Sequence, residues 1–149
     1  MNLTAIAARC AQRLHASAVR WLHAPAVRWL LLLAICAAYI QGGLVKALNV
    51  EGAVAEMTHF GLQPAALFAA LVTLLELAAS ALILSGFYRW LGALALAGFT
   101  LMATLMANPF WQFDGAERGQ MMNGFFEHLG LAGALLLVAF NDLKERTDG

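Results

Sequence analysis

The stretch PAALFAALVTLLELAASALIL, residues 64–84, decides the fold. The twenty residues after Pro64 hold one ionisable side chain, Glu76. An α-helix of that length rises about 30 Å, the thickness of a bilayer's hydrocarbon core. Proline suits a helix start, where its missing N–H has no intrahelical partner to lose. Downstream, Ser85-Gly86-Phe87-Tyr88-Arg89 makes a tight turn in which Gly86 supplies the C-terminal cap. So short a connection makes the next apolar run, Trp90–Ala107, an antiparallel neighbour, and Asn108-Pro109 stops it. Two further runs have the same character. Val27–Leu48 is opened by Pro25 and interrupted at Gln41 and Lys46, and a last run extends from about Met122 to Phe140 and ends at Asn141-Asp142. The expected fold is all-α, a four-helix transmembrane bundle.

Composition agrees. Of 149 residues, 62% are hydrophobic and 12% charged, against roughly 45–50% and about 25% in soluble domains. The chain divides into an amphipathic segment (1–26), a four-span membrane domain (27–141) and a short charged tail (142–149), with no room for a second folded domain. Basic and aromatic residues are not interleaved as nucleic-acid binding requires. The two cysteines, Cys10 and Cys36, form no CxxC or metal-ligand spacing, and the four histidines make no HxxxH or HExxH pair. No disulfide, metal site or haem is expected. Ile35 before Cys36 is too large for a lipid-attachment box, and the apolar run continues past any plausible cleavage point, so the first run reads as a retained span.

Charge placement orients the bundle. Arg9, Arg13, Arg20, Arg28, Arg89, Lys144 and Arg146 fall on one side, against Lys46 and Arg118 on the other. Seven against two places both termini in the cytoplasm of a bacterial-type inner (plasma) membrane. Trp29, Tyr88 and Trp90 then lie at the inner boundary, and Phe110, Trp111 and Phe113 at the outer one. At 100° per residue Arg9, Arg13 and Arg20 fall within about 40° of one another. Leu3, Cys10, Leu14 and Trp21 gather on an adjoining face. That pattern fits a helix lying on anionic lipid, while an Arg-rich, acid-free leader also fits a mitochondrial transit peptide. In the outer loop, Asn49–Gln63, the residues Val50, Val54, Met57 and Phe60 recur at helical spacing and Gly61 can end the turn, which predicts a short interfacial helix.

Helices in lipid associate through close packing and polar contacts. Tyr39, Gly43 and Lys46 align on the first span, and Ala69, Thr73, Glu76 and Ser80 on the second. Ala93, Ala97, Thr100 and Thr104 align on the third, and Asn123, Glu127, Gly130 and Ala134 on the fourth. Most of these positions are accounted for by packing alone. Glu76 is not, because an intramembrane carboxylate is costly unless protonated, paired or wet. Lys46 is its partner by sign. Yet Glu76 lies about 16 Å along the second span, whereas Lys46 is near the outer end of the first. By that reckoning a direct pair needs a deeper first span, a water or Gln41 between them. His128 reads as a proton-exchanging group, a hydrogen-bond donor to a ligand carbonyl, or a packing histidine. Together Gln41, Lys46, Glu76, Asn123, Glu127 and His128 are expected to form an intramembrane polar pocket in the outer half.

Several segments carry a family resemblance. Gly42-Gly43-Leu44-Val45-Lys46 resembles the glycine-to-lysine motif of the DoxX family, and His59-Phe60-Gly61-Leu62-Gln63-Pro64 followed by Leu75-Glu76-Leu77 resembles its outer-loop glycine and second-span glutamate. Leu84–Arg89 is similar to its glycine-to-arginine turn. Asn108-Pro109-Phe110-Trp111, Asn123 and Gly130–Leu136 resemble later segments. The likeness covers about Trp29 to Phe140, and departs where many relatives carry Lys-Asn and this chain has Glu127-His128.

The resemblance implies a small four-helix membrane protein, associated in some relatives with quinone-linked sulfur oxidation or oxidative-stress defence. It establishes no reaction. Three functions follow as expectations. The first is a membrane subunit or partner of a quinone-linked oxidoreductase, with membrane lipids, a quinone and a redox partner protein as its contacts. The second is a non-catalytic assembly or lipid-interaction protein. The third is a transporter for a small solute or proton, although no span is broken at midplane and no inverted repeat is evident.

Overall fold

A computed structural model describes residues 24–148, together with Gln12, residues 14–16 and residues 19–22. The chain divides between Ala34 and Ile35 into two units. In the first, the described residues among 12–22 are helical, with Leu14, Trp21 and Leu22 exposed. Leu3, Arg9, Cys10 and Arg13, on which much of the amphipathic reading rests, lie outside the described residues.

Five α-helices follow: α1 Pro25–Leu48, α2 Val50–His59, α3 Ala65–Ser85, α4 Arg89–Ala107 and α5 Gly115–Thr147, with a 3-10 turn at Phe110–Gln112 before α5. All described regular structure is helical. Four of these segments are long and apolar enough to cross a bilayer, and α2 is the short loop helix. Its start is capped by Asn49, whose side-chain oxygen accepts from the Gly52 N–H at 3.0 Å. Its end turns through Gly61 at φ 71°.

The α3–α4 turn forms as the sequence demands. Gly86, at φ 80°, gives its N–H to the Leu82 carbonyl. Past the turn, α3 and α4 run so close that a Cβ on Gly92 would stand 2.6 Å from the Ala79 carbonyl oxygen. Ala93, Leu96, Ala97 and Thr100 are buried along the same helix. This small-residue seam is how helices associate where no hydrophobic force acts between them.

Two expectations change. The helix that carries the fourth span does not stop at Asn141-Asp142 but continues unbroken to Thr147. An Asp at this position can end a helix by competing for its backbone groups. Here that carboxylate is engaged elsewhere. It accepts from the Trp90 N–H at 3.2 Å, from Arg89 at 3.5 Å and from Arg146 at 2.9 Å. It therefore caps the start of α4 from a neighbouring helix, and Arg146 reaches on to the Gly86 carbonyl. At its other end α5 begins at Gly115, not Met122. Thirty-three residues rise about 50 Å, well beyond a hydrocarbon core of about 30 Å.

The second change concerns depth. Ala53 and Met57 of α2 pack on Ala65 and Ala69 of α3, with Val54, Leu62, Phe68 and Val72 around them. The first turns of α3 are thus faced by α2 rather than by α1. The last turn of α1 consequently lies level with the middle of α3, and the two spans do not start flush.

Candidate functional site

That stagger brings Lys46 to Glu76. The ammonium nitrogen stands 3.3 Å from Glu76 Oε2 and 3.4 Å from Oε1, a direct ion pair needing neither water nor Gln41. Both side chains are largely buried, Lys46 at 13% exposure and Glu76 at 7%. A third charge adjoins them. Glu56 of α2, 44% exposed, has Oε2 4.0 Å from the same nitrogen. One lysine therefore serves two carboxylates, one inside the bundle and one at its surface.

The pair borders a cavity of about 350 Å³ between the helices, within the range of small-molecule sites. Its walls are mostly apolar, including Met57, Phe60, Phe68, Val72, Phe99, Met102, Met106 and Leu131. Tyr39, Lys46, Glu56, Glu76, Thr100 and His128 contribute the polar groups. Lys46 is the one lysine or arginine among these lining residues.

The hydrogen bonds fix several proton positions. Thr100 donates its hydroxyl proton to the Leu96 carbonyl at 2.6 Å, so in the Tyr39–Thr100 contact the tyrosine hydroxyl is the donor. His128 Nδ1 lies 2.6 Å from the Gly124 carbonyl oxygen. A carbonyl only accepts, so Nδ1 carries the proton and Nε2 of a neutral ring is left as an acceptor. No buried side-chain nitrogen or oxygen among the described residues lacks a hydrogen-bond partner.

Of the six residues expected in the pocket, Lys46, Glu76 and His128 line this cavity. Gln41, Asn123 and Glu127 do not; all three are exposed on the bundle surface. Helical phase is the reason. On α1 Gln41 points about 140° away from Lys46, while Tyr39 and Gly42 fall within about 40° of it. On α5 Asn123 is about 140° and Glu127 about 100° from His128. The α5 face aligning Asn123 with Glu127 is therefore not the one turned to the cavity.

Three contributors had been read otherwise. Tyr39 and Thr100 were placed on packing faces, which they occupy while also lining the cavity. Glu56 was passed over, because only the apolar residues of the loop helix entered that reading. Its position three residues after Ala53, beside Met57, was the available signal. Cys36 is buried as a free thiol, and Cys10 lies outside the described residues. No cluster of three His, Cys, Asp or Glu suited to a metal ion occurs among the described residues.

Comparison with known proteins agrees with the residue-level likeness. The chain is similar to an inner membrane protein, YphA, of Escherichia coli (strain K12), with 28% identity over 107 residues, covering 72% of this chain and 76% of that protein. No solved structure matches. The family profile for DoxX matches residues 28–109, which takes in α1 through α4 and holds Lys46, Glu56 and Glu76. By that match, the four apolar helices and the motifs at Gly42–Lys46, Glu76 and Gly86–Arg89, this chain belongs to the DoxX family.

Proposed function

We propose that this protein is a membrane subunit or partner of a quinone-linked oxidoreductase or oxidative-stress system, and that its cavity binds a quinone or similar neutral amphiphile. The observation that carries the reading is a mostly apolar cavity of about 350 Å³ bordered by the Lys46–Glu76 pair. A quinone head presents two carbonyl acceptors on an apolar ring. Lys46 would donate to one of them, and Glu76 or His128 Nε2 would exchange the protons that accompany reduction. Electrons would come from a redox partner protein. The similarity to an inner membrane protein and the seven-to-two distribution of basic residues support a multi-pass bacterial inner-membrane location. Both termini would be cytoplasmic and α2 would lie on the outer side.

The test is mass spectrometry of an organic extract of the protein purified in mild detergent. A lipid-soluble quinone should co-purify and should be lost from Glu76→Gln. Protein that arrives without quinone and binds none when it is added refutes the reading.

One observation favours a second reading, an assembly protein. Gln41 and Glu127 are exposed on membrane-crossing helices, where a polar group facing acyl chains is costly. A partner helix covering them would remove that cost. Glu127→Leu should then abolish co-purification of a partner while leaving the cavity's ligand in place.

A further inference from the structure

We propose that Glu56, Lys46 and Glu76 form a proton path from the aqueous phase at the α2 end of the bundle to the buried Glu76 carboxylate, with Glu56 as its entrance. Exposure falls along the series from 44% at Glu56 to 13% at Lys46 and 7% at Glu76. Lys46 Nζ stands 4.0 Å from the first carboxylate and 3.3 Å from the second. An ammonium on a flexible four-carbon stem carries three rotatable donors, so a small movement lets it address both. The step balances with no other reactant. Lys46 passes one proton to the Glu76 carboxylate as the amine takes one from the Glu56 carboxylic acid. One proton has then moved inward, Lys46 is again an ammonium and Glu56 is again a carboxylate.

The surroundings leave this route clear. The groups that face Glu76 across the cavity are Tyr39 and Lys46 from α1, Glu56 from α2, Thr100 from α4 and His128 from α5. Tyr39 donates to Thr100, and Thr100 to the Leu96 carbonyl. The His128 proton on Nδ1 is held by Gly124. Among the described residues, Glu56 is the one that joins the ion pair to the surface by charge and by distance. A path of this kind serves any ligand that gains or loses protons in the cavity, so it does not depend on that ligand being a quinone.

The experiment is infrared difference spectroscopy of the full chain in lipid nanodiscs, without added ligand. A pH step should produce a carboxylic-acid C=O band that disappears in Glu76→Gln. Glu76→Asp, which keeps the carboxyl group, moves the band instead and assigns it if the glutamine variant does not fold. The rate at which that band shifts on transfer to D2O is then read. Glu56→Gln should slow it by at least about a hundredfold, the lower end of what a positioned acid–base group contributes, and Glu56→Asp should restore most of the rate. A purely structural role for Glu56 gives the opposite sign, since loosening α2 admits water and speeds exchange. An unchanged or faster rate in Glu56→Gln, or no Glu76 band at any pH, overturns the proposal.

Discussion

Replacing Lys46 by methionine leaves an unbranched side chain one atom shorter and removes the one lysine or arginine that lines the cavity among the described residues. It strands Glu76, 7% exposed, without a counter-ion. Breaking a buried pair from one side costs about 3–5 kcal/mol, most of it the penalty of the uncompensated charge. Glu76→Gln is the milder cut. The amide still has an acceptor oxygen for Lys46, and Lys46 retains Glu56 at 4.0 Å, so about 1–3 kcal/mol is expected, in the range of a hydrogen bond to a charged group. The two single variants should therefore differ, although they break the same bridge. Their combination should cost less than their sum, with a coupling of at least about 1 kcal/mol as for residues in direct contact. Equilibrium unfolding of the detergent-solubilised chain in increasing SDS, followed by the fluorescence of its four tryptophans, measures all three. Equal costs for the two single variants, together with an additive double variant, would refute the shared-lysine geometry.

Other consequences are as direct. Gly92→Ala should destabilise by about 1–3 kcal/mol through overpacking, because its Cβ would meet the Ala79 carbonyl at 2.6 Å. Gly98→Ala, with nothing within 4 Å of the new methyl, should be neutral or stabilise by up to about 1 kcal/mol, the helix preference of alanine over glycine; the same unfolding assay separates them. Asp142→Asn should lower stability by roughly 1–3 kcal/mol, since the amide keeps the Trp90 N–H but loses the charge that Arg89 and Arg146 address. Faster proteolysis at the α3–α4 turn should accompany it. His128→Phe should leave the melting temperature within a few degrees and weaken ligand retention in the extract assay, because an aromatic ring stays in place while Nε2 and the Nδ1–Gly124 hydrogen bond are lost.

Some of the site was legible in the residues because membranes make charge conspicuous. Lys46, Glu76 and His128 stood out as costly groups in apolar runs, and all three line the cavity. Their companions Gln41, Asn123 and Glu127 stood out equally and face outward. In water an amphipathic stripe tells the inward face from the outward one. In lipid both faces are apolar, so the hydrophobic pattern along α5 could not choose between the Glu127 side and the His128 side. The alignment of Asn123, Glu127, Gly130 and Ala134 suggests one packing face. The buried face instead carries Ala132, Leu135, Ala139 and Asp142.

Four membrane-crossing helices, the points where three of them stop or turn, and the few side chains that need partners are all legible in the residues alone. These follow from local requirements. Backbone groups in lipid must bond within their own helix, proline and glycine set the ends of α3, and twenty apolar residues match the hydrocarbon thickness. Which of those side chains meet depends on how the helices pack. The packing of α2 on the first turns of α3 goes with the stagger of α1, which sets Gly43 against Leu77 and lets the Lys46 side chain reach back to Glu76. Depth and rotation of one helix against another depend on side chains far apart in the chain, and no local pattern encodes them.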